Sequence, residues 1–135
     1  MTTQARLALV ILAVHDVSRA ARFYEDAFGW RTEVDVPVYR EYALPAGMRL
    51  GLYRRDAFMK NIGERPVSLR APEHTLATEL YLLVDDLDAA ATRLTELGAR
   101  CLSPIAPRPW GDTAAYFEDP EGNVVVVARP TTSTA

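Results

Sequence analysis

The sequence has a single cysteine, Cys101, and only two histidines, His15 and His74. One thiol excludes an internal disulfide and any cysteine-rich zinc site. Cys101 lies between the end of a predicted helix and Pro104 with no neighbouring histidine, so it lacks the base that a nucleophilic cysteine needs. Positive charge is not in excess either. Fifteen Lys and Arg against eighteen Asp and Glu leave a net charge of −3, so the basic field that draws nucleic acid is missing. Long apolar runs are absent. Leu7 to Val14 and Val124 to Ala128 are far too short to span a bilayer, and no membrane partner is expected. Met1 to Arg6 leads into one brief apolar stretch without a cleavage-site pattern. That stretch reads as a strand rather than a signal peptide, and the cytoplasm is the expected compartment. No Gly-rich phosphate loop and no Ser-His-Asp constellation is visible.

What is present is the composition of an ordinary folded domain. Apolar residues make up 49% and charged residues 24% of 135 residues, which fits one domain spanning 1–135. Leu7 to Val14 reads as a strand buried on both faces. His15-Asp16-Val17-Ser18 offers a helix cap. Val17, Ala20, Ala21, Tyr24, Ala27 and Phe28 then recur at helical spacing, with Tyr24 and Phe28 facing the core, until Gly29 stops the helix. Trp30 follows that stop and reads as structural. Trp30 to Val38 and Tyr39 to Leu44 are expected strands, the first kept at an edge or a bend by Pro37. Pro45-Ala46-Gly47 is a turn, and Met48 to Tyr53 a further strand.

The pattern then restarts. Glu79 to Val84 is a strand, Asp85-Asp86-Leu87-Asp88 a cap, and Leu87, Ala90, Ala91, Leu94 and Leu97 an amphipathic stripe that Gly98 ends. Arg100 to Ser103 and Thr113 to Phe117 are strands, Asp119 to Asn123 a turn, and Val124 to Arg129 the last strand. Val14-His15-Asp16-Val17 matches Val84-Asp85-Asp86-Leu87, Phe28-Gly29 matches Leu97-Gly98, and Pro45-Ala46-Gly47 matches Pro120-Glu121-Gly122. The chain is an internal duplication of a strand–helix–strand–strand–strand unit, with module one at 7–53 and module two at 79–129. Residues 54–78 connect the modules without a sustained period. A connection this long often carries function. Phe58 and Met59 are candidates to fold over a pocket, and a plain surface linker is the alternative. Thr131 to Ala135 is expected to fray.

Val14 to Gly29 with Phe23-Tyr24 inside the helix, Leu82 to Gly98, and Tyr116-Phe117-Glu118-Asp119-Pro120-Glu121-Gly122-Asn123 preceded by Trp110-Gly111 resemble the vicinal oxygen chelate superfamily. That superfamily holds glyoxalases, bleomycin-resistance proteins and extradiol dioxygenases, and the likeness covers residues 7 to 129. It is nearest to the metal-free bleomycin-resistance-like branch. The resemblance implies an α+β fold of two βαβββ modules, forming a curved, barrel-like mixed sheet around a cleft with helices outside, and a homodimer.

Metal-binding members of that superfamily place His, Glu or Gln at one position on the first and last strand of each half. Those positions here are Leu9, Gly51, Glu79 and Val126. Glu79 alone can ligate, and a divalent ion needs about three or four donors. A one-residue slip exposes Ala8, Arg49 or Met48, Leu80 and Val125 or Val127, which is no better. His15 leaves the strand for the helix and His74 lies in the connector, so neither completes a site. No metal and no cofactor is expected.

Strand alternation gives the cleft lining. Module one contributes Leu9, Ile11, Ala13, Arg49, Gly51 and Tyr53. Module two contributes Glu79, Tyr81, Leu83, Val124 and Val126, joined by Trp110 and Tyr116. On the third strand either Glu41 or the pair Arg40 and Tyr42 points inward. A mostly apolar, aromatic-rich lining is usual for a small-molecule site. The function expected is sequestration of an aromatic or heterocyclic ligand, as in drug-binding resistance proteins. The alternative is a metal-free isomerase, lyase or cyclase in which Glu79 is the general base and a tyrosine or Arg49 steadies an enolate. The sequence supplies no second oriented partner for that chemistry.

Overall fold

The structure is a computed structural model that describes residues 4, 6–62 and 78–132. His74, with Arg65, Pro66, Arg70 and Pro72, lies outside the described residues, as does the tail from 133 onward, and of Met59 only the backbone is described. The chain divides into two compact units, Met1–Ala71 and Pro72–Ala135. Each unit is built on one open, four-stranded mixed sheet.

The first unit runs β1 (Leu9–Val14), α1 (Val17–Phe28), β2 (Arg31–Val36), β3 (Tyr39–Ala43), β4 (Arg49–Arg54) and α2 (Arg55–Ile62). The strand order is β1-β4-β3-β2, with β4 parallel to β1 and the other pairs antiparallel. A parallel pair requires a crossover, and α1 begins it. α1 starts where the Asp16 carboxylate accepts from the Arg19 N–H at 3.0 Å, and it ends where Gly29 takes φ 64°. Its buried stripe of Val17, Ala20, Ala21 and Tyr24 covers the sheet face that carries Leu12, Val14, Leu50 and Leu52. Trp30 closes the end of this layer, stacked on Tyr24 at 5.7 Å and on Phe28 at 4.9 Å. β2 is an edge strand and Pro37 falls in the turn after it, where a missing N–H costs no ladder bond.

The second unit repeats the plan with β5 (Glu79–Leu83), α3 (Leu87–Glu96), β6 (Arg100–Pro107), β7 (Asp112–Glu118) and β8 (Val124–Pro130), in the order β5-β8-β7-β6. Asp86 caps α3 as Asp16 caps α1, accepting from the Ala89 N–H at 3.0 Å. Leu87 and Leu94 of α3 are buried, as are Phe117, Val125 and Val127 of the sheet. The turn between β7 and β8 is held by a buried carboxylate. Asp119 accepts from the backbone N–H groups of Glu121 and Asn123, both at 2.8 Å, and from the Asn123 side-chain amide at 3.0 Å.

Three sequence expectations are corrected. The connector opens with α2, an eight-residue helix that is too short and too charged to show a period. β6 continues past Ser103 to Pro107, because an edge strand with irregular pairing tolerates Pro104. Thr131 is tied down rather than frayed, with its N–H donating to the Gly111 carbonyl at 2.9 Å and its hydroxyl 2.8 Å from that of Thr113.

Candidate ligand-binding faces

Each sheet has one face under its helix and one face turned away. In the first sheet the register pairs Leu9 with Arg49, Ile11 with Gly51 and Ala13 with Tyr53. Their neighbours Leu12, Val14, Leu50 and Leu52 are buried under α1, so these six share the open face. β3 adds Tyr39, Glu41 and Ala43, opposite Tyr53, Gly51 and Arg49. The alternative left open on this strand is thereby settled for Glu41. Arg40 and Tyr42 turn under α1, where both meet Glu25, the Tyr42 hydroxyl donating to its carboxylate at 2.6 Å.

Glu41 is the buried acid of the first open face, 6% exposed. One carboxylate oxygen accepts from the Tyr39 hydroxyl at 2.6 Å and the other from Arg49 Nη1 at 2.9 Å. The Tyr39 ring lies against Gly51. A Cβ built on Gly51 would stand 2.7 and 2.8 Å from two ring carbons, so this glycine is required by close approach and not by its backbone angles. Tyr53 meets Tyr39 edge to face at 5.1 Å and Phe58 of α2 at 6.1 Å, and its hydroxyl accepts from Asn61 at 2.8 Å. α2 therefore braces the end of this face.

Burial and the hydrogen bond to Glu41 push the Tyr39 phenol well above the ordinary tyrosine range, and burial and Glu25 do the same to Tyr42. The folded protein thus holds these two protons more tightly than the unfolded chain does. Their contribution to stability is complete below the unfolded tyrosine value of about 10 and is lost as pH rises above it. Urea unfolding followed by circular dichroism should show little tyrosine-linked change up to about pH 9 and a steep fall above about pH 10. Tyr42→Phe should flatten that fall, and an unchanged slope would contradict the assignment.

In the second sheet the open face carries Glu79, Tyr81 and Leu83 of β5, Val124, Val126 and Ala128 of β8, and Ala114 and Tyr116 of β7. Val126 is buried with Ala114 and Ala128, and Tyr116 and Val124 pack against them. Trp110, in the turn before β7, donates its indole N–H to the Tyr81 hydroxyl at 2.8 Å, and that hydroxyl donates to Asp112 at 2.6 Å. Desolvation and the Asp112 bond push the Tyr81 hydroxyl upward, so it stays protonated and keeps donating. The rings themselves are open to solvent, Trp110 at 55% and Tyr81 at 37%. Arg108 stands over the Tyr116 ring at 5.1 Å, fixed by bonds to the carbonyls of Pro104 and Ala114 and to Ser103 Oγ. Glu79 is exposed at the start of β5, without the apolar enclosure that the general-base reading requires.

The predicted lining residues of each module therefore share one face of their own sheet. Sequence reasoning missed Tyr39, Asp112, Arg108 and Asn61, whereas Phe58, expected to fold over a pocket, meets Tyr53 edge to face. Strand alternation puts Tyr39 on the face of Glu41, two residues on, so its placement stayed as open as that of Glu41 until the β3–β4 ladder fixed both.

A family model for the glyoxalase/bleomycin resistance protein/dioxygenase superfamily matches residues 6–127. The chain belongs to this superfamily. A glyoxylase-like domain-containing protein of Didymella fabae is 26% identical, over 96% of this chain and 98% of its own length. Among solved structures, a glyoxalase/bleomycin resistance protein/dioxygenase family enzyme of Burkholderia phytofirmans superposes with a TM-score of 0.81 at 18% identity, covering 94% of this chain and all of the other. A glyoxalase-related enzyme of Fulvimarina pelagi gives 0.78 at 22% identity, with 98% and 99% covered. At these identities the structural likenesses speak for the fold.

The superfamily's ligand positions can now be tested against a divalent ion. At Gly51 there is no side chain, and the room for one is filled by the Tyr39 ring. Val126 is sealed among alanines. Leu9 is aliphatic, which leaves Glu79 as the one donor where about three or four are needed. The residues present do not fit the ion. Among the described residues no three His, Cys, Asp or Glu side chains gather into a cage.

Proposed function

We propose that this chain is a metal-independent small-molecule binding protein of the bleomycin-resistance-like branch, working as a cytoplasmic homodimer that sequesters an aromatic or heterocyclic ligand. The observation that carries the reading is the pair of exposed rings on the second open face. Trp110 and Tyr81 leave large apolar surfaces in water while their polar atoms are already bonded, in a chain that ends on Asp112. Rings fixed in this way offer flat faces to a planar ligand at little cost in side-chain entropy. Arg108 over Tyr116 extends the rigid aromatic surface along the same sheet. The first open face, taken by itself, carries Leu9, Ile11, Arg49 and Tyr53.

Titration calorimetry with a panel of planar aromatic and heterocyclic antibiotics tests the proposal. At least one should bind saturably, and Trp110→Ala should weaken that compound by about tenfold, the worth of one lost stacking partner. If no compound binds, or if Trp110→Ala leaves every affinity unchanged, the assignment of this face fails. The enzyme alternative finds no support around the exposed Glu79.

A further inference from the structure

We infer that Arg49 is an anion-recognition group, and that the ligand of the first open face is an acidic aromatic compound bearing a carboxylate or sulfonate. The inference rests on the reading of the open faces as ligand-binding surfaces and names the chemistry they select. Arg49 opens β4 on that face, and its side chain is 46% exposed while that of Glu41 is 7% exposed. The pair is therefore an oriented dipole with its positive end outward. Both oxygens of Glu41 are occupied inside, one by Tyr39 and one by Arg49. Glu41 holds a single guanidinium nitrogen. Nε and Nη2 have no acceptor among the described residues. A guanidinium fixed at one corner with donors left over is suited to bidentate capture of a planar oxyanion.

The second module argues against a merely structural pair, because its sheet forms without one. In its sheet the places of Tyr39, Glu41 and Arg49 are taken by Ala114, Tyr116 and Val124, which occupy the equivalent rungs of the β7–β8 ladder. Arg31, which pairs with the open-face residue Ala43 across the β2–β3 ladder, is tied to Glu33 at 2.6 Å.

The test uses two dyes with the same ring system, anionic 8-anilino-1-naphthalenesulfonate and neutral N-phenyl-1-naphthylamine, titrated by fluorescence into the full chain. The anionic dye should bind about tenfold tighter, and Arg49→Met should erase that preference, read as the ratio of the two affinities, with circular dichroism checking that the variant is folded. Arg49→Lys should retain part of the preference. Glu41→Gln separates orientation from bulk charge. Removing a negative charge would by itself strengthen anion binding, whereas loss of the tether should weaken it. Equal binding of the two dyes, or a preference that survives Arg49→Met, overturns the inference and leaves the binding function standing. Binding of neither dye removes both.

Discussion

Asp119→Ala should lower the free energy of unfolding by about 3 kcal/mol, because its buried carboxylate accepts from the backbone N–H groups of Glu121 and Asn123 and from the Asn123 side chain, and its removal takes that acceptor away. In thermal denaturation this corresponds to a fall of about 10 °C for a chain of this size. Amide exchange should localise the damage to the β7–β8 turn, with Glu121 and Asn123 losing protection first. Asp119→Asn keeps an acceptor and loses the charge, so it should cost roughly half as much. A loss below about 1 kcal/mol for the alanine variant would show that water replaces the carboxylate. In Tyr116 to Asn123 the side chain of Phe117 is core, Asp119 is a turn clamp and Gly122 sits at φ 85°.

Gly51→Ala is the second large effect, expected to cost about 2 kcal/mol by overpacking. The added methyl meets the Tyr39 ring, and the ring has little room to yield because its hydroxyl is bound to Glu41 and its edge contacts Tyr53. Tyr39→Leu should be destabilising alone but should relieve the clash, so the double variant should be more stable than the sum of the single losses by about 1 kcal/mol. Urea unfolding of the four proteins measures this directly. Strict additivity would mean that the ring moves aside freely, and the account of Gly51 would then be wrong.

Much of the fold could be read because its signals are local. Asp16 and Asp86 cap the helices they precede, Gly29 and Gly98 take the left-handed conformations that end them, and strand parity counted from the landmarks of the repeat groups the residues of β1, β4, β5 and β8 by face as the ladders do. Alternation is uninformative where every residue is polar or aromatic. Tyr39-Arg40-Glu41-Tyr42 offers no apolar side, and only its ladder to β4 shows which way it turns. The bonds that fix Trp110 and Tyr81 were hidden for a different reason. The bond from Tyr81 to Asp112 spans 31 residues and that from Trp110 to Tyr81 spans 29, so neither leaves a trace in local spacing. α2 was missed because it is held by contacts made with Tyr53 rather than by its own periodicity.

The nesting of the Tyr39 ring against Gly51 bears on how such a chain can change over generations. A chelating side chain introduced at position 51 would meet the ring first, as any residue larger than glycine does. Tyr39 would have to shrink beforehand, exposing Glu41 and loosening Arg49 before any ion could compensate. The order of two such substitutions therefore matters, because each alone disturbs a contact that the other depends on.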